Sequence, residues 1–428
     1  MREFTAGGES VVLLVPEQRR RGFLALSAES TQWFNATAGT RSLRARRGDA
    51  APRVATVSPR SDLLLSENAD GSFTAYALSD PHPEISFASL WRSTWYEGYS
   101  APELVYQSSA SSNNYESKYS VTPLAFGTLK AAFYTMLFAI PLAIGAAAYT
   151  AFFMAPALRR RIKPTIELME ALPTVILGFL AGLWLAPYVE DNLSAIVSLL
   201  VTVPVGLLLF AMGWSRLPLR WQRALPDGYH AILLLPVVSL LAWWGVVLGD
   251  PLEVIFFGGD TQRWLSEELG VAYDQRNAMV VGIAMGFAVI PTIFSISEDA
   301  IYSVPRHISS GSMALGATPW QTLVGVVLPT ASPGVFSAIM IGFGRAVGET
   351  MIVLMATGNT PVMDFNLLEG MRTLAANMAI EVPEAEVGST HYRVLFLTAF
   401  LLFVLTFVVN TLAEVVRQRL RSRYGAMG

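Results

Sequence analysis

Seven long apolar stretches are the feature that most limits what this chain can fold into. A helix needs about 20 mostly apolar residues to cross a bilayer, and the qualifying segments lie at 131–155, 171–189, 193–214, 229–249, 278–297, 331–357 and 394–413. Only 15% of the 428 residues are charged, whereas a soluble globular chain has about 25%. The sequence therefore predicts an all-α polytopic membrane domain over residues 121–420.

The loops between these stretches predict an orientation, because Lys and Arg concentrate in the short loops on the cytoplasmic side. If the loop after the first span is inside, the basic loop residues fall mostly inside and the acidic ones mostly outside. The inside set is Arg159, Arg160, Arg161, Lys163, Arg216, Arg220, Arg223, Arg306, Arg417, Arg419, Arg421 and Arg423. The outer loops hold acids such as Glu190, Asp191, Asp250, Glu384 and Glu386. We therefore expect a cytoplasmic C-terminus.

The same orientation places the residues before the first span outside. The first 25 residues contain no apolar core typical of a signal peptide, so nothing in the sequence explains how they would be exported. We expect either a missing upstream span, which we favour, or a start that has been assigned too late.

Residues 1–120 have the pattern of a soluble β-rich domain. Alternating apolar and polar residues flank Asp70-Gly71, a pair typical of a tight hairpin turn. The segments FLALSAES (23–30) and LLLSEN (63–68) resemble each other, and their aligned serines, Ser27 and Ser66, lie 39 residues apart. A propeller blade repeats every ~40–45 residues. The sequence predicts an extracytoplasmic β-rich fragment, either part of a propeller or an irregular β domain.

The predicted inside loop 298–330 has the pattern of helix, break, helix. Gly316 suits the left-handed C-terminal cap of one helix. Thr318 then caps a second helix, with Pro319 at its first position and Gln321 three residues after the cap. Trp320 contributes to an apolar face. Two interpretations remain: a surface helix lying on the lipid interface, or a rigid helical pair that docks onto a soluble partner and transmits force.

Two ionisable residues, Arg345 and Glu349, lie well inside the sixth predicted span. Such groups cost at least ~2.5–3.5 kcal/mol at mid-membrane, so each needs a partner or a function. They are four residues apart and would share one helix face, and Gly342, Gly344 and Gly348 would allow close approach. Either the two neutralise each other and join helices, or Arg345 binds an oxyanion with its planar fork while Glu349 orients or gates it.

Other charged residues suggest less. Glu167 and Glu170 lie near the basic run at 159–163, and we expect a salt-bridge cluster there in preference to a pathway role. Lys130 is expected to snorkel to the lipid headgroups. No nucleotide-binding loop, catalytic constellation or metal-ligand spacing occurs, and the chain has no cysteine. The sequence therefore predicts neither an enzyme nor a nucleic-acid-binding protein.

The loop and two further segments resemble one family. Gly316, followed further along by the ending Val327-Leu328-Pro329, resembles the pattern of the cytoplasmic Glu-Ala-Ala loop of ABC-importer permeases. The first three residues of that pattern differ, because Ser310-Gly311-Ser312 stands at their place in this chain. GFGRAVGETMIVLMATGNT (342–360) and IELMEALPTVILGFLAGLWLAP (166–187) resemble phosphate-specific permeases of the PstC type. The N-terminal region is similar to the extra segment of long PstC variants.

The resemblance implies a type I permease bundle and two sets of site residues. The substrate pathway would use Arg345, Glu349, Gly344, Gly348 and Thr350, with Glu167 and Glu170 as secondary candidates. Coupling to an ATPase would use Gly316, Thr318, Pro319, Trp320, Leu328 and Pro329.

The resemblance further implies one permease subunit of an ATP-driven phosphate importer in the bacterial inner membrane. Its partners would be an ATP-binding subunit, a second related permease and an extracytoplasmic phosphate-binding protein, which could dock on the acidic outer loops. ATP would be bound by the partner and no cofactor by this chain. The alternatives are a permease for another oxyanion, a membrane-embedded sensor or scaffold that binds through the N-terminal domain, and an ion-coupled transporter. The last is disfavoured because the hydropathy has no inverted repeat.

Overall fold

The computed structural model describes residues 4, 10–18, 21–27, 30–38, 41–46, 52–79, 82–96, 98–109, 115–216, 218 and 230–424. Arg220, Arg223 and residues 28–29 of the first repeat segment lie outside the described residues. The chain divides into two compact units. The first comprises Met1–Pro123 and Val382–Leu397, and the second comprises Leu124–Glu381 and Thr398–Gly428.

The first unit contains two antiparallel sheets in which neighbouring strands follow one another along the chain. The four-stranded sheet consists of β1 (Val11–Pro16), β2 (Gly22–Ser27), β3 (Ser30–Asn35) and β4 (Arg41–Arg46), and the three-stranded sheet consists of β5 (Pro52–Val57), β6 (Leu63–Asn68) and β7 (Phe73–Ala77). Leu24, Trp33 and Leu64 are buried in one apolar cluster that the two sheets share. The predicted β-rich region is therefore confirmed.

The predicted hairpin turn is confirmed at Asp70-Gly71. Gly71 has φ +80°, a left-handed conformation that glycine adopts without strain. The Asp70 carboxylate accepts the Ser72 amide at 3.0 Å, which fixes the turn between β6 and β7. The two resembling segments fall on β2 and β6, the second strand of each sheet. This placement is compatible with a repeat, and the choice between a propeller fragment and an irregular β domain stays a prediction.

The rest of the first unit is built around short elements: α1 (Phe87–Trp91), β8 (Tyr106–Gln107) and β9 (Lys118–Tyr119). The segment 382–397 joins it through hydrogen bonds. His82 Nδ1 lies 2.8 Å from Thr390 Oγ1, and Thr390 also donates to the carboxylate of Glu84.

Seven helices are long and apolar enough to cross a membrane, so the seven predicted spans are confirmed within the described residues. The helices are α2 (Thr122–Ala148), α3 (Pro156–Met169), α4 (Thr174–Leu180), α5 (Ala186–Asp191), α6 (Leu193–Arg216), α7 (His230–Val247), α8 (Gly249–Phe257), α9 (Thr261–Glu267), α10 (Ala278–Tyr302), α11 (Arg306–Ala314), α12 (Pro319–Thr322), α13 (Leu328–Gly348), α14 (Met351–Ala356), α15 (Leu374–Glu381) and α16 (Thr390–Tyr424). Three π-helical turns of five residues accompany these helices. Tyr149–Phe153 follows α2 directly, Ala181–Leu185 joins α4 to α5, and Leu323–Val327 joins α12 to α13.

The sixth span differs from its predicted extent of 331–357. Its helix begins at Pro319, runs without interruption through α12, the π turn and α13, and ends at Gly348. The C-terminal part of the prediction is a separate helix, α14. At the break, the Glu349 carboxylate accepts the backbone amides of Met351 and Ile352, at 3.1 and 3.3 Å. A side chain that caps a new helix in this way competes with continuation of the old one.

The centre of the second unit is α10, which is buried along most of its length and packs against α13. Gly342 of α13 permits this contact, because a Cβ there would lie 2.6 Å from Ile293 Cγ1. A second close contact joins the span at 174–191 to α14. A Cβ at Gly182 would lie 2.3 Å from the backbone oxygen of Met355. Small residues therefore set the helix spacing.

The expectation for Lys130 is wrong. Its side chain is 1% exposed, and its ammonium donates to the backbone oxygens of Glu369 and Gly370, at 3.3 and 3.5 Å. The segment after α14 folds back over the end of α2 and offers carbonyl oxygens, so the amine is satisfied inside the protein.

Candidate functional site

A row of polar and charged side chains joins α3 to α10. Arg159, Lys163 and Glu167 of α3 and Glu170, the residue that caps its C-terminus, share one face because they are three or four positions apart. Opposite them on α10 lie Thr292, Ser295, Glu298 and Asp299. We call these eight residues the polar seam.

The end of the seam nearer the α3 N-terminus is a compact ion cluster. The Glu298 carboxylate is fully buried, and it pairs with Arg159 and, at 3.0 Å, with Lys163. Lys163 also pairs with Asp299. Burial works against the charge on Lys163, but its hydrogen bonds to Asp299 and Glu298 outweigh burial and raise the pKa of Lys163. The guanidinium of Arg159 further stacks on Tyr302, with Cζ 3.4 Å from the ring centroid. This end is therefore firmly neutralised.

The other end of the seam holds the arginine that the sequence singled out. Arg345 Nη1 lies 2.7 Å from Glu170 Oε1 and 2.8 Å from Thr292 Oγ1. The Thr292 hydroxyl donates to the same carboxylate oxygen at 2.8 Å. The three groups close a triangle in which Arg345 keeps 28% of its side-chain surface exposed. A membrane-embedded cation is thus held in place and remains partly accessible.

The interpretation in which Arg345 and Glu349 neutralise each other, one of the two that the sequence left open, is wrong, because Arg345 pairs with Glu170. The expectation assumed a continuous helix, which would bring residues four apart onto one face. Because α13 ends at Gly348, Glu349 leaves that face, and its carboxylate caps α14 instead. Arg345 therefore takes its partner from α3, 175 residues away in sequence.

The remaining pathway candidates lie around this break. Thr350 Oγ1 donates to the Gly348 carbonyl at 3.3 Å. A Cβ at Gly344 would lie 3.4 Å from Asn410 Oδ1 on α16, whereas one at Gly348 would meet nothing within 4 Å. Gly344 thus lies close to a neighbouring helix, and Gly348 faces open space that could admit a ligand.

The secondary candidates are divided between two roles. Glu170 belongs to the Arg345 triangle. Glu167 accepts from Ser295 Oγ at 2.9 Å and lies 3.9 Å from the Lys163 ammonium. The expected salt-bridge cluster with the basic run does form, but its central carboxylate is Glu298.

Sequence reasoning missed the α10 side of the seam: Thr292, Ser295, Glu298 and Asp299. The signal was present, because polar residues at spacings of three and four mark one helix face. The predicted inside loop began at 298, and this boundary hid the pattern, since α10 continues to Tyr302.

The predicted helix break and capping box are confirmed. Gly316 has φ +94°. The Thr318 hydroxyl accepts the Gln321 amide at 3.3 Å, and the Gln321 side chain accepts the Thr318 amide at 2.8 Å. Ser312 Oγ lies 3.1 Å from Thr322 Oγ1 and ties α11 to the following turn.

The second helix of this loop is not a separate element, however. Pro319 and Trp320 open the long helix of the sixth span, and Leu328 and Pro329 lie within it. The Leu328 amide bonds to the Leu323 carbonyl five residues back, so the π turn carries the helix past Pro329. The apolar tip is exposed, with Leu315 at 92% and Trp320 at 65%.

Seven helices long and apolar enough to cross a bilayer define a multi-pass membrane protein. Residues 139–422 match the family model described as binding-protein-dependent transport system inner membrane component. This match covers more than half of the chain, and the chain belongs to that family of ABC-transporter permeases.

Curated relatives confirm the resemblance to the PstC type. The chain is 26% identical over 313 residues to the phosphate transport system permease protein PstC of Xylella fastidiosa (strain 9a5c), which covers 73% of this chain and 78% of the relative. It is 32% identical over 245 residues to PstC 2 of Mycobacterium bovis, covering 54% and 72%. A chain of the methionine ABC transporter MetNI, solved in inward-facing conformations, shares 14% identity and a TM-score of 0.38 over 69% of this chain and 93% of that chain. That likeness is too weak to carry an argument.

Proposed function

We propose that this chain is a permease subunit of an ATP-driven phosphate importer and forms half of the translocation pathway beside a second, related permease. The observation that carries the proposal is Arg345, a partly accessible guanidinium held within the membrane domain by Glu170 and Thr292. The relatives bear phosphate transport in their names, and an arginine fork suits phosphate oxygens.

Glu170 gives this proposal a concrete mechanism. The Glu170 carboxylate, which is bound to Arg345, lies where one oxygen of a transported phosphate would bind. In the absence of substrate, Glu170 keeps the guanidinium oriented and neutralised. A passing phosphate would replace Glu170 as acceptor, and the carboxylate would return once the phosphate leaves. The Thr292 hydroxyl can remain bonded to Arg345 throughout, because it is uncharged.

The test compares variants that keep the membrane domain neutral. Removing one partner would leave an unpaired charge within the membrane domain, which costs at least ~2.5–3.5 kcal/mol, so a single Arg345→Gln variant can fail simply by misfolding. The double variant Arg345→Gln with Glu170→Gln removes both charges and should assemble. We expect it to lose uptake of radiolabelled phosphate, and we expect Arg345→Lys to lose most of it, because an ammonium lacks the planar fork.

Phosphate uptake near the wild-type level in the assembled double variant would contradict a pathway role for Arg345. Retained uptake of sulfate or another oxyanion, with no competition by phosphate, would instead indicate a different substrate. A chain that assembles with no ATPase and transports nothing would favour a sensor or scaffold that binds through the N-terminal unit.

We further propose that α11 and the first turn of α12 dock onto the ATP-binding subunit. Leu315 and Trp320 expose an apolar tip, and the capping box and Ser312–Thr322 contact hold it rigid. A side chain at Gly316 would be strained by its positive φ. We expect Gly316→Val and Trp320→Ala to abolish uptake while membrane abundance stays normal.

The matched control is Gly311→Ala, since Gly311 lies within α11 and a Cβ there meets nothing within 4 Å. It should transport normally. Normal uptake by both Gly316→Val and Trp320→Ala would remove the docking role from this segment.

The proposed orientation places α11 in the cytoplasm and the β-rich unit in the periplasm, where a phosphate-binding protein would deliver substrate to the acidic outer loops. The chain has no cysteine, so Arg60→Cys and Arg161→Cys each introduce a single thiol at an exposed position. An impermeant thiol reagent should label only the first in intact spheroplasts, and labelling of the second alone would reverse the topology.

A further inference from the structure

A large cavity of about 1570 Å³ lies in the second unit beside the ion cluster of the polar seam. Its walls come from the π turn after α2, the start of α3, the end of α10 and the inward face of α11. Aromatic and apolar side chains make up much of the lining: Tyr149, Phe152, Phe153, Tyr302, Met313 and Val327. Small-molecule pockets usually measure ~300–1,000 Å³, so this cavity has room for more than a small ion.

The charges on this cavity are mostly positive. Arg159 and Lys163 line it but are neutralised by Glu298 and Asp299. Arg160 and Arg306 also line it, from α3 and α11, and both are exposed. Neither forms an ion pair with any residue that the structure describes. The one acid in the lining, Glu167, is engaged by Ser295. Two guanidinium groups are therefore available to an anion.

An apolar, aromatic wall beside two available arginines matches one kind of molecule, an anionic amphiphile. Basic pockets between membrane helices on the cytoplasmic side suit anionic lipid headgroups, and arginine binds phosphate oxygens with two-point geometry. A free phosphate ion would use the arginines but leave the aromatic wall without a partner. In the proposed topology the lining residues belong to the inner ends of three spans and to the inside segments next to them, which is the depth of the headgroups.

We propose that this cavity binds one anionic phospholipid, with its phosphate on Arg160 and Arg306 and its glycerol and upper acyl chains against the aromatic wall. Because Arg160 belongs to α3 and Arg306 to α11, the bound headgroup bridges the polar seam and the proposed docking segment. The inference rests on the proposed orientation but not on transport of any substrate.

The experiment uses the purified full-length chain, incubated with vesicles of either phosphatidylglycerol or phosphatidylcholine and then repurified. Native mass spectrometry counts the lipids that remain bound. We expect the wild type to retain one phosphatidylglycerol and little phosphatidylcholine. In the double variant Arg160→Gln with Arg306→Gln, retention should fall about ten- to thirtyfold, the size expected from losing two cationic contacts to an anionic headgroup.

Two controls make the result specific. Arg161→Gln removes an exposed arginine of the same helix that does not line the cavity, and it should retain phosphatidylglycerol like the wild type. The double variant Arg160→Lys with Arg306→Lys keeps the charge and should retain part of the binding. Both sites are exposed, so an unchanged melting temperature is expected and reports that the fold is intact.

Equal retention of both lipids, or equal loss in the Arg161 control, would overturn the proposal. So would release of the bound lipid signal by inorganic phosphate alone, because a site for free phosphate would then explain the arginines. These results are read from lipid binding, so a failure here leaves the phosphate-transport proposal untouched, and a failure of transport leaves this one untouched.

Discussion

The fifth span and the third span have nearly the same mean hydropathy, 2.2 for Ala278–Tyr302 and 2.5 for Leu193–Arg216. Their burial differs strongly. In the most apolar 18-residue segment of each span, 67% is buried in the fifth span and 11% in the third. The third span, α6, packs mainly against α7, and the described part of this α6–α7 pair carries ionisable residues only at Arg216 and His230. The fifth span, α10, carries half of the polar seam.

The difference follows from the solvent that each helix meets. Lipid tails are as apolar as leucine, so hydrophobicity does not drive helices together within a bilayer. Small residues and polar groups do. Gly282 of α10 lies against Phe138, with a Cβ position 3.2 Å from its ring, and the four α10 residues of the polar seam bond to side chains on or just after α3. Hydropathy therefore locates spans, and small and polar residues decide which span becomes the centre.

The largest effect should come from breaking the seam at its buried carboxylate. Glu298→Gln keeps the shape but leaves Arg159 and part of the Lys163 charge unpaired. Because Asp299 remains beside Lys163, we expect the free energy of unfolding to fall by about 3 kcal/mol, the lower end for a broken buried pair. Thermal unfolding of the purified protein in detergent should show a lower midpoint. Glu167→Gln, on the same seam but bonded to a serine, is the control and should unfold near the wild-type temperature; equal midpoints for both variants would contradict the ion cluster.

A smaller loss of stability should distinguish the two spans when one apolar side chain in each is shortened to alanine. Ile293 of α10 is fully buried, and Leu208 of α6 is 66% exposed. We expect Ile293→Ala to lower the free energy of unfolding by about 2 kcal/mol, the lower end of the range for emptying a core site. Leu208→Ala should cost at most ~0.5 kcal/mol, because lipid fills the space. The same thermal assay measures both. A comparable loss at Leu208 would mean that a protein surface covers α6.

The sequence was sufficient to predict what depends on neighbours along the chain. The seven spans follow from runs of apolar residues, the turn at Asp70-Gly71 from a residue that tolerates positive φ, and the cap at Thr318 from a hydroxyl three residues before Gln321. Each of these features is decided within a few residues. The interpretation in which Arg345 pairs with Glu349, one of two that the sequence left open, relied on the same local logic and failed.

The failures concern partners that are distant in sequence. Arg345 meets Glu170, and Lys130 meets the carbonyls of Glu369 and Gly370. No local rule indicates either contact, since each depends on which helices are adjacent in the bundle. A partial signal existed at Gly348-Glu349, where a flexible residue followed by a capping carboxylate can end one helix and begin another. A break there would have excluded the i, i+4 pair.

The smallest effect that should still distinguish the two regions comes from adding one methyl group at a glycine. At Gly182, in the π turn between α4 and α5, the new Cβ would lie 2.3 Å from the Met355 backbone oxygen. At Gly206 of α6 it would lie at the same 2.3 Å, but from Leu241 Cδ2, the end of a flexible side chain. A backbone cannot move without shifting its helix, whereas a leucine can change rotamer. We expect Gly182→Ala to lower the free energy of unfolding by about 1 kcal/mol, the lower end for overpacking, and Gly206→Ala to lower it by less than about 0.5 kcal/mol. Both are measured by thermal unfolding and by the amount of protein in the membrane fraction.

If Gly206→Ala proved the more damaging, the α6–α7 pair would be packed as rigidly as the centre, and the contrast between the two regions would be lost.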